Sequence, residues 1–506
     1  GDTVVSTSSH YDAIVIGAGL GGLGAATALA QAGRSVLVLE QAHQPGGYAV
    51  MFSRPPFRFD ASLHALDGLA PGGGNDALLR SLGVADQVDL QRLDPLYTVR
   101  GAFGDVTVPA DVHAYEAMLV GRYPSQRAGI RRWFDTCYRA HVDSVRFAED
   151  ARAHRLPRLG EIPAQFPTLA SLVGRTWRDV TQECVQDREL AGLLTALWSY
   201  TATPPSRLSA LTGMVVTASY LFHGGWYPRG GSGTLPHALA ANLSAAGADV
   251  RYGTRVEHIR AAHGWATGVT TSDGDVFGAD VVVCNAAAPL LVELLGEDVL
   301  PLEYVSRTRT PAVATSSITV YLGLDRDVVA EQGLPHEVVT GPMTDLDVAA
   351  AGTPDDWRAG GMLITDYTHV DPGCAPDGGA VVTLSTVAAY DQAESWDTLK
   401  QSAADALVDR ADEVVPGLKQ AVVHRETATP LTNARYTGNP AGSWAGYESV
   451  PSMTGRGSLG SRTPLPNLLL AGAWTGRFGQ MAALRSGYQA GLRAAKVVHE
   501  QAPSSP

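Results

Sequence analysis

Three glycines at fixed spacing and one acid downstream could together hold a large anion: Gly17, Gly19 and Gly22 in the run GAGLGG, then Glu40. Gly17 permits a tight turn, Gly19 lets a phosphate approach the backbone, and Gly22 lets a following helix pack on the preceding strand. The helix N-terminus would then face the negative charge. Glu40 closes the next apolar run and can accept hydrogen bonds from ribose hydroxyls. A bare G-x-G-x-x-G is weak evidence, since such turns also serve structure alone. Here the flanking text supplies a βαβ unit: an apolar run Ala13 to Ile16, an Ala-rich helix over Ala25 to Gln31, and a second run Val36 to Leu39. The set reads as a dinucleotide site. The acid does not separate FAD from NAD, because both carry an adenosine ribose and a pyrophosphate. A second glycine pair, Gly46 and Gly47, offers another stretch of backbone that can lie against an extended cofactor, or simply a turn.

Other chemistries lack their residues. Cys137, Cys184, Cys284 and Cys374 lie far apart and form no C-x-x-C pair, so neither a zinc site nor a dithiol is expected, and no metal is assigned. Ser443 in AGSWAG has Ala441 where a nucleophile elbow needs glycine, and no strand-to-helix context surrounds it.

The elements that must position these residues are interleaved along the 506-residue chain. Residues 68–121 read as loop-rich. Residues 124–222 read as helical, with Ile130, Phe134, Cys137 and Val145 spaced for one helix side. A helix over Thr234 to Ala246 leads into strands at Val250 to Tyr252, Val256 to Ile259, Ala266 to Thr271 and Asp280 to Cys284. The stretches ATSSITVYLGL and AVVTLSTVA suggest an antiparallel sheet, carrying a helix near Trp396 to Val414. A strand at Asn467 to Leu470 and a helix at Met481 to Val498 close the pattern.

Lys and Arg total 38 against 51 Asp and Glu, a formal charge of -13, which disfavours nucleic acids and anionic membranes. No apolar run approaches the roughly 20 residues needed to cross a bilayer. The opening GDTVVSTSSH lacks the regions of a secretory signal and reads as a processed or tag-derived end, so the expectation is a cytoplasmic protein with, at most, peripheral membrane contact. The oligomeric state is open.

Three further segments, taken together, resemble the phytoene desaturase, carotenoid isomerase and retinol saturase family. They are FRFDASLHALDG from Phe57; HGGWYPRGGSGTLPHALAANL with the later GADVRYGTRVEHI and ADVVVCNAAAP; and NLLLAGAWTGRFGQMAALRSGYQAG. They touch the start, middle and end of the chain in the family's order. The resemblance implies an α/β glutathione-reductase-like FAD-binding Rossmann domain with an interleaved α+β substrate domain of mixed or antiparallel sheet and helical cap. The expected division is 10–70, 224–300 and 462–501 for FAD, with 71–223 and 301–461 for substrate. It implies FAD contacts at Gly17, Gly19, Leu20, Gly22, Glu40, Gln41, Gly46, Gly47, Tyr48, Ser62, Leu63, His64, Val256, Ala286, Gly472, Gln480, Met481 and Ala482. Val256 would meet the adenine, Gly472 would pass the pyrophosphate, and Met481 and Ala482 would approach the flavin's pyrimidine end. Two departures stand out. Ala473 occupies a position where related flavoproteins often carry an acid, and Tyr48 follows the Gly-Gly pair where amine oxidases favour Arg, which lowers the amine oxidase reading.

In flavin chemistry the cofactor carries the hard step, so no protein nucleophile is required. His64 is the candidate for moving a proton near the flavin, with a hydrogen-bonded packing histidine as the alternative. Trp226, Tyr227, Arg229 and Arg477 are candidates for lining the substrate cavity or holding a polar head group, against packing or exposed-loop roles. The expected substrate is a long apolar polyene, carotenoid-like or a polyketide or tetramate intermediate, undergoing desaturation, saturation or reductive cyclisation. Alternatives are a redox-neutral cis-trans isomerase, an amine or porphyrinogen oxidase, and a GDP dissociation inhibitor-like binding protein, against which the intact glycine set and Glu40 argue. No second G-x-G-x-x-G with strand and acid context is present, so the expected electron partner is a transient partner protein, oxygen, a quinone, or NAD(P)H as an external reductant bound without that motif.

Overall fold

A computed structural model describes residues 9–344, 346, 356–476 and 479–501. Two seven-stranded sheets organise it.

The first sheet begins with β1 (Ser9–Ile16), whose Ala13, Ile14 and Val15 are wholly buried, as expected of a strand covered on both faces. It lies parallel to β2 (Val36–Leu39) on one side and to Val276–Cys284 on the other. Asp249–Arg251 extends the parallel set beyond β2, and Leu468–Leu470 pairs parallel with Val276–Cys284. Val256–Ala262 and Trp265–Thr271 add antiparallel strands. Strands from distant parts of the chain thus end side by side. That brings the turns after Ile16, Leu39, Cys284 and Leu470 to one edge, where ligands of α/β sheets bind.

Helix α1 (Leu20–Gln31) packs on this sheet and against the helix Gln480–Gln501 at unusually short range. A Cβ added at Gly487 would lie 1.7 Å from the Gly21 carbonyl oxygen, and one at Gly491 would lie 2.4 Å from that of Ala25. The helices approach this closely because nothing protrudes between them.

The second sheet runs Val422–Ala428, Ser316–Leu324, Ala380–Ala388, Leu363–Asp366, Glu337–Thr340, Tyr97–Gly101, Gly104–Val108. It is mixed rather than purely antiparallel, since Glu337–Thr340 pairs parallel with Tyr97–Gly101. The hairpin Tyr97–Val108 also corrects the loop-rich reading of residues 68–121, which hold the helices Gly74–Ser81 and Val112–Arg122 as well. Glycine and proline there mark tight turns between short elements. Ile318, Val320 and Leu322 face the helix Trp396–Val414 and join Leu407 and Val408 in a core of their own. Ser317, Thr319 and Tyr321 alternate with them on the opposite face.

Helices Arg127–Arg152 and Ala210–His223 pack on each other, with shorter helices around them, and stand across a cavity from that second face. Ile130, Phe134 and Cys137 are buried as their spacing indicates, whereas Val145 is only half-buried and helps to wall a cavity. All four cysteines are buried and free. Among the described residues no helix is long and apolar enough to cross a membrane.

Candidate functional site

One cavity of about 950 Å³ runs between the two sheets and under the helical block. Every residue expected to contact the cofactor lines it except Gly22. Gly22 sits behind the wall, where a Cβ would lie 1.9 Å from the Gly17 carbonyl oxygen.

At one end Gly17, with φ +94°, turns the chain out of β1 and donates its N–H to the Leu39 carbonyl at 2.8 Å. Glu40 answers from the neighbouring turn: its carboxylate accepts from Ala18 N–H at 2.6 Å and from Ala42 N–H at 3.0 Å. These bonds fix the acid at the cavity edge beside Gln41 and Val256. The N-cap of α1 is Gly19, which offers no side-chain acceptor, and the first turn contains no acid. The N–H groups of Leu20 and Gly21, both on the cavity wall, are therefore placed for an anion there.

Asn285, which sequence reasoning passed over in favour of its neighbour Ala286, is central here. Its side chain lies within 2.8 Å of where Cβ atoms on Gly19, Gly21 and Gly472 would stand, so three glycine segments close around it. With its amide oriented to suit its neighbours, it accepts from Gly22 N–H and donates to the Ala471 carbonyl, both at 3.3 Å. The legible signal was a polar residue directly after the apolar run VVVC, in register with the end of β1.

Further along, the chain from Asp60 to His64 forms one wall. The buried Asp60 carboxylate accepts from Ser62 N–H at 3.2 Å, Leu63 N–H at 3.0 Å, Ser232 Oγ at 2.9 Å and N–H at 3.1 Å, and Tyr227 Oη at 2.6 Å. Burial raises its pKa, and these donors oppose but do not cancel that shift. The acid holds the turn that carries Ser62 and Leu63 along the cavity. Tyr48 is fixed by stacking on Trp444, with ring centroids 4.1 Å apart, and donates to the Ser443 carbonyl at 3.1 Å. Ala473 also reaches the wall.

Tyr227 is thus a brace behind the wall, not a lining residue, and Trp226 and Arg229 are likewise absent from the lining. Trp226 and Tyr227 lie on the strand Gly225–Pro228, which is paired on both sides, with Leu66–Asp67 and with Leu90–Arg92, and Arg229 follows it directly. Trp226 lies under Arg92 and donates Nε1–H to the His223 carbonyl at 2.9 Å; Arg229 pairs with Asp89 at 3.7 Å, half-exposed. Arg477 lies outside the described residues.

At the far end Gln480, Met481 and Ala482 bring the N-terminus of the helix Gln480–Gln501 to the cavity. His64 stands on the wall nearby with its Nδ1 2.9 Å from Thr365 Oγ1 and 3.1 Å from Glu337 Oε1, and its ring stacks on Tyr200. Beyond it the space continues between Val215, Val216 and Tyr220 on one helix and His141, Ser144 and Val145 on another, opposite Leu363, Thr383 and Val387 of the second sheet. Burial, then the neighbouring His223, pushes His141 down to about 4, so it is neutral at physiological pH. The arrangement offers a long slot with an anion-binding turn and a ribose acceptor at one end. At the other it offers a helix N-terminus, the His64 imidazole and a wide chamber walled by apolar and hydroxyl-bearing side chains as well as a few charged ones.

The flavin-containing amine oxidoreductase family matches residues 20–499. A prolycopene isomerase of an Oncidium hybrid cultivar is 27% identical over 482 residues, covering 90% of this chain and 78% of that protein. A phytoene dehydrogenase of Streptomyces griseus is 30% identical over 388 residues, 72% of this chain and 70% of its own. The crystal structure of an oxidoreductase from Methanosarcina mazei superposes with a TM-score of 0.66 at 18% identity over 94% of this chain and 99% of that one, which shows the fold. The family match spans nearly the whole chain, and its residues surround this long cavity. The chain therefore belongs to the flavin-containing amine oxidoreductase family, in its phytoene desaturase and carotenoid isomerase-like division, and is a flavin-dependent oxidoreductase.

Proposed function

We propose that the chain binds FAD extended along this cavity and acts with it on a long apolar polyene in the adjoining chamber. The observation that carries the reading is the continuity of the space: one slot leads from Glu40 and Val256 past the α1 N-terminus to His64, and on between the two cavity-lining helices. Its size lies at the upper end of ligand pockets, as a dinucleotide with a second ligand demands. In this reading Glu40 accepts from the adenosine ribose, the N–H groups of α1 meet the pyrophosphate, and the N-terminus of Gln480–Gln501 favours negative charge at the flavin's pyrimidine end. When bound, the flavin exchanges hydride with a substrate carbon. The protein's part is to orient both partners, exclude water and move the accompanying proton, for which His64 is the lining group at hand. In the same reading the chain divides into an FAD domain (10–70, 224–300, 462–501) and a substrate domain (71–223, 301–461); in support, each seven-stranded sheet draws its strands almost wholly from one of these sets.

Hydroxyl-bearing residues such as Ser317, Thr383 and Ser385 soften the apolar character of the chamber, which suits a polyene that carries some polar groups. The favoured reaction is saturation or reductive cyclisation of such a polyene, with a nicotinamide as external reductant. The test is to mix the photoreduced protein anaerobically with carotenoid-like and tetramate-bearing polyenes, following the flavin spectrum and product mass together. The expected outcome is reoxidation of one flavin per product, with a mass gain of two hydrogens. A shifted polyene spectrum at unchanged mass, the flavin staying reduced, would make it an isomerase. Reduction of the oxidised protein by small amines, with no response to polyenes, would contradict the proposal.

A further inference from the structure

Glu337 is fully buried, and among the described residues its one cationic contact is His64. A lone carboxylate in such surroundings is costly unless it is paired and hydrogen-bonded. Every contact around it serves that end. Thr365 Oγ1 donates to Glu337 Oε2 at 2.5 Å, and Tyr200 Oη donates to Oε1 at 2.8 Å. Because the Thr365 proton points to Glu337, its oxygen is left to accept from His64 Nδ1, which fixes the hydrogen on that nitrogen. The backbone is tied as well, with His336 Nε2 held 2.7 Å from the His64 carbonyl. Among the described residues His64 Nε2 has no hydrogen-bond partner, and the side chain keeps 19% exposure on the cavity wall.

We propose that Glu337 is a positioning residue that keeps His64 charged, and that His64 Nε2 delivers a proton to the substrate in the chamber. This rests on the oxidoreductase reading above and gives it a direction. In the step an Nε2–H bond breaks and a C–H bond forms on the carbon next to the one that takes hydride; the imidazole loses a proton and no electrons, and regains the proton from solvent. The two electrons of a double-bond reduction are the cofactor's, restored by an external hydride donor of the nicotinamide class. Desaturation would instead need His64 neutral at the outset, so the cluster favours addition of hydrogen over its removal.

Burial alone would lower the His64 pKa, yet the charge and hydrogen bond of Glu337 outweigh it and the net shift is upward, with Asp60 adding to the same side. Burial raises Glu337, and His64 with its other contacts reverses that to a net lowering. The other titratable groups facing the pair are His336, whose pKa is lowered, and the phenols Tyr200, Tyr220 and Tyr367, all raised and therefore neutral.

The test is a pH titration of the flavin-loaded protein by NMR with labelled histidine, the His64 signal being assigned by its loss in His64→Asn. His64 is expected to titrate above the ordinary histidine range in the native protein. In Glu337→Gln burial, the largest influence, is opposed only by the charge of Asp60, so the midpoint should fall below that range. Glu337→Asp, which keeps the charge at shorter reach, should give an intermediate midpoint and supplies the comparison if the Gln variant does not fold. A native midpoint at or below the ordinary value, or one unchanged in either variant, overturns the proposal. The readout needs no substrate. Failure of the polyene assay with this titration intact would therefore fault the oxidoreductase reading and not the dyad.

Discussion

Glu40→Arg is expected to yield protein that loses FAD on gel filtration, with an affinity for added FAD lower by on the order of a hundredfold or more. The estimate follows from the acid's bonds. A hydrogen bond to a charged group contributes about 1.5–3 kcal/mol, and each 1.4 kcal/mol is tenfold in affinity. Arginine removes the ribose acceptor and sets a cation with no acceptor capacity in its place. It also removes the bonds from Ala18 and Ala42 N–H that shape the turn. Glu40→Gln retains one acceptor oxygen and should lie between the two. Fluorescence titration of the apoproteins with FAD checks the order, and equal affinity in Glu40→Arg would show that the acid does not face the ribose.

The second large effect concerns the helix pair that backs the nucleotide turn. Replacing Gly487 by valine should cost about 3 kcal/mol or more, read as a lower urea midpoint and melting temperature. A glycine inside a helix ordinarily loses about 1 kcal/mol against alanine, so propensity alone favours substitution. Here the first atom added would stand 1.7 Å from the Gly21 carbonyl oxygen, which is backbone and cannot turn aside. The helices must separate, and α1 carries the N-terminus that meets the pyrophosphate, so cofactor retention should fall as well. Gly121→Ala, in the exposed penultimate position of Val112–Arg122 with no atom within 4 Å, is the control and should be neutral or stabilising by up to about 1 kcal/mol. Equal stability of both variants would mean that the helices are not packed at this distance.

The features legible in the sequence are those written in local residue order. Gly17, Gly19, Gly22 and Glu40 fall within one βαβ unit, whose turn chemistry and apolar runs are dictated by neighbours. The helix at Trp396 was read with its observed limits because its amphipathic pattern is unbroken. The groups around His64 were not legible, since Tyr200, Glu337 and Thr365 reach it from elements distant in the chain and each alone is an unremarkable residue. Trp226 and Tyr227 were misread for the converse reason. Their glycine-rich surroundings look like an open loop, whereas they form a strand paired on both edges, in which Tyr227 turns to Asp60 and Trp226 packs under Arg92. The strand in ATSSITVYLGL was legible from its alternation, but that its hydroxyl-bearing Ser317 and Thr319 turn to a cavity, in a strand that is buried throughout, depends on elements distant in the chain. Asn285 shows the limit of motif transfer, because the polar residue that organises the glycines stood one place from the residue singled out.

The central claim is that segments from across the chain converge on one extended FAD beside a substrate chamber. The direct measurement is the visible spectrum of the purified protein, followed by denaturation and mass analysis of what is released. The account predicts a yellow protein with flavin absorption bands, or one restored to that state by added FAD, releasing FAD in equimolar amount. A colourless protein that binds no FAD on reconstitution would contradict it.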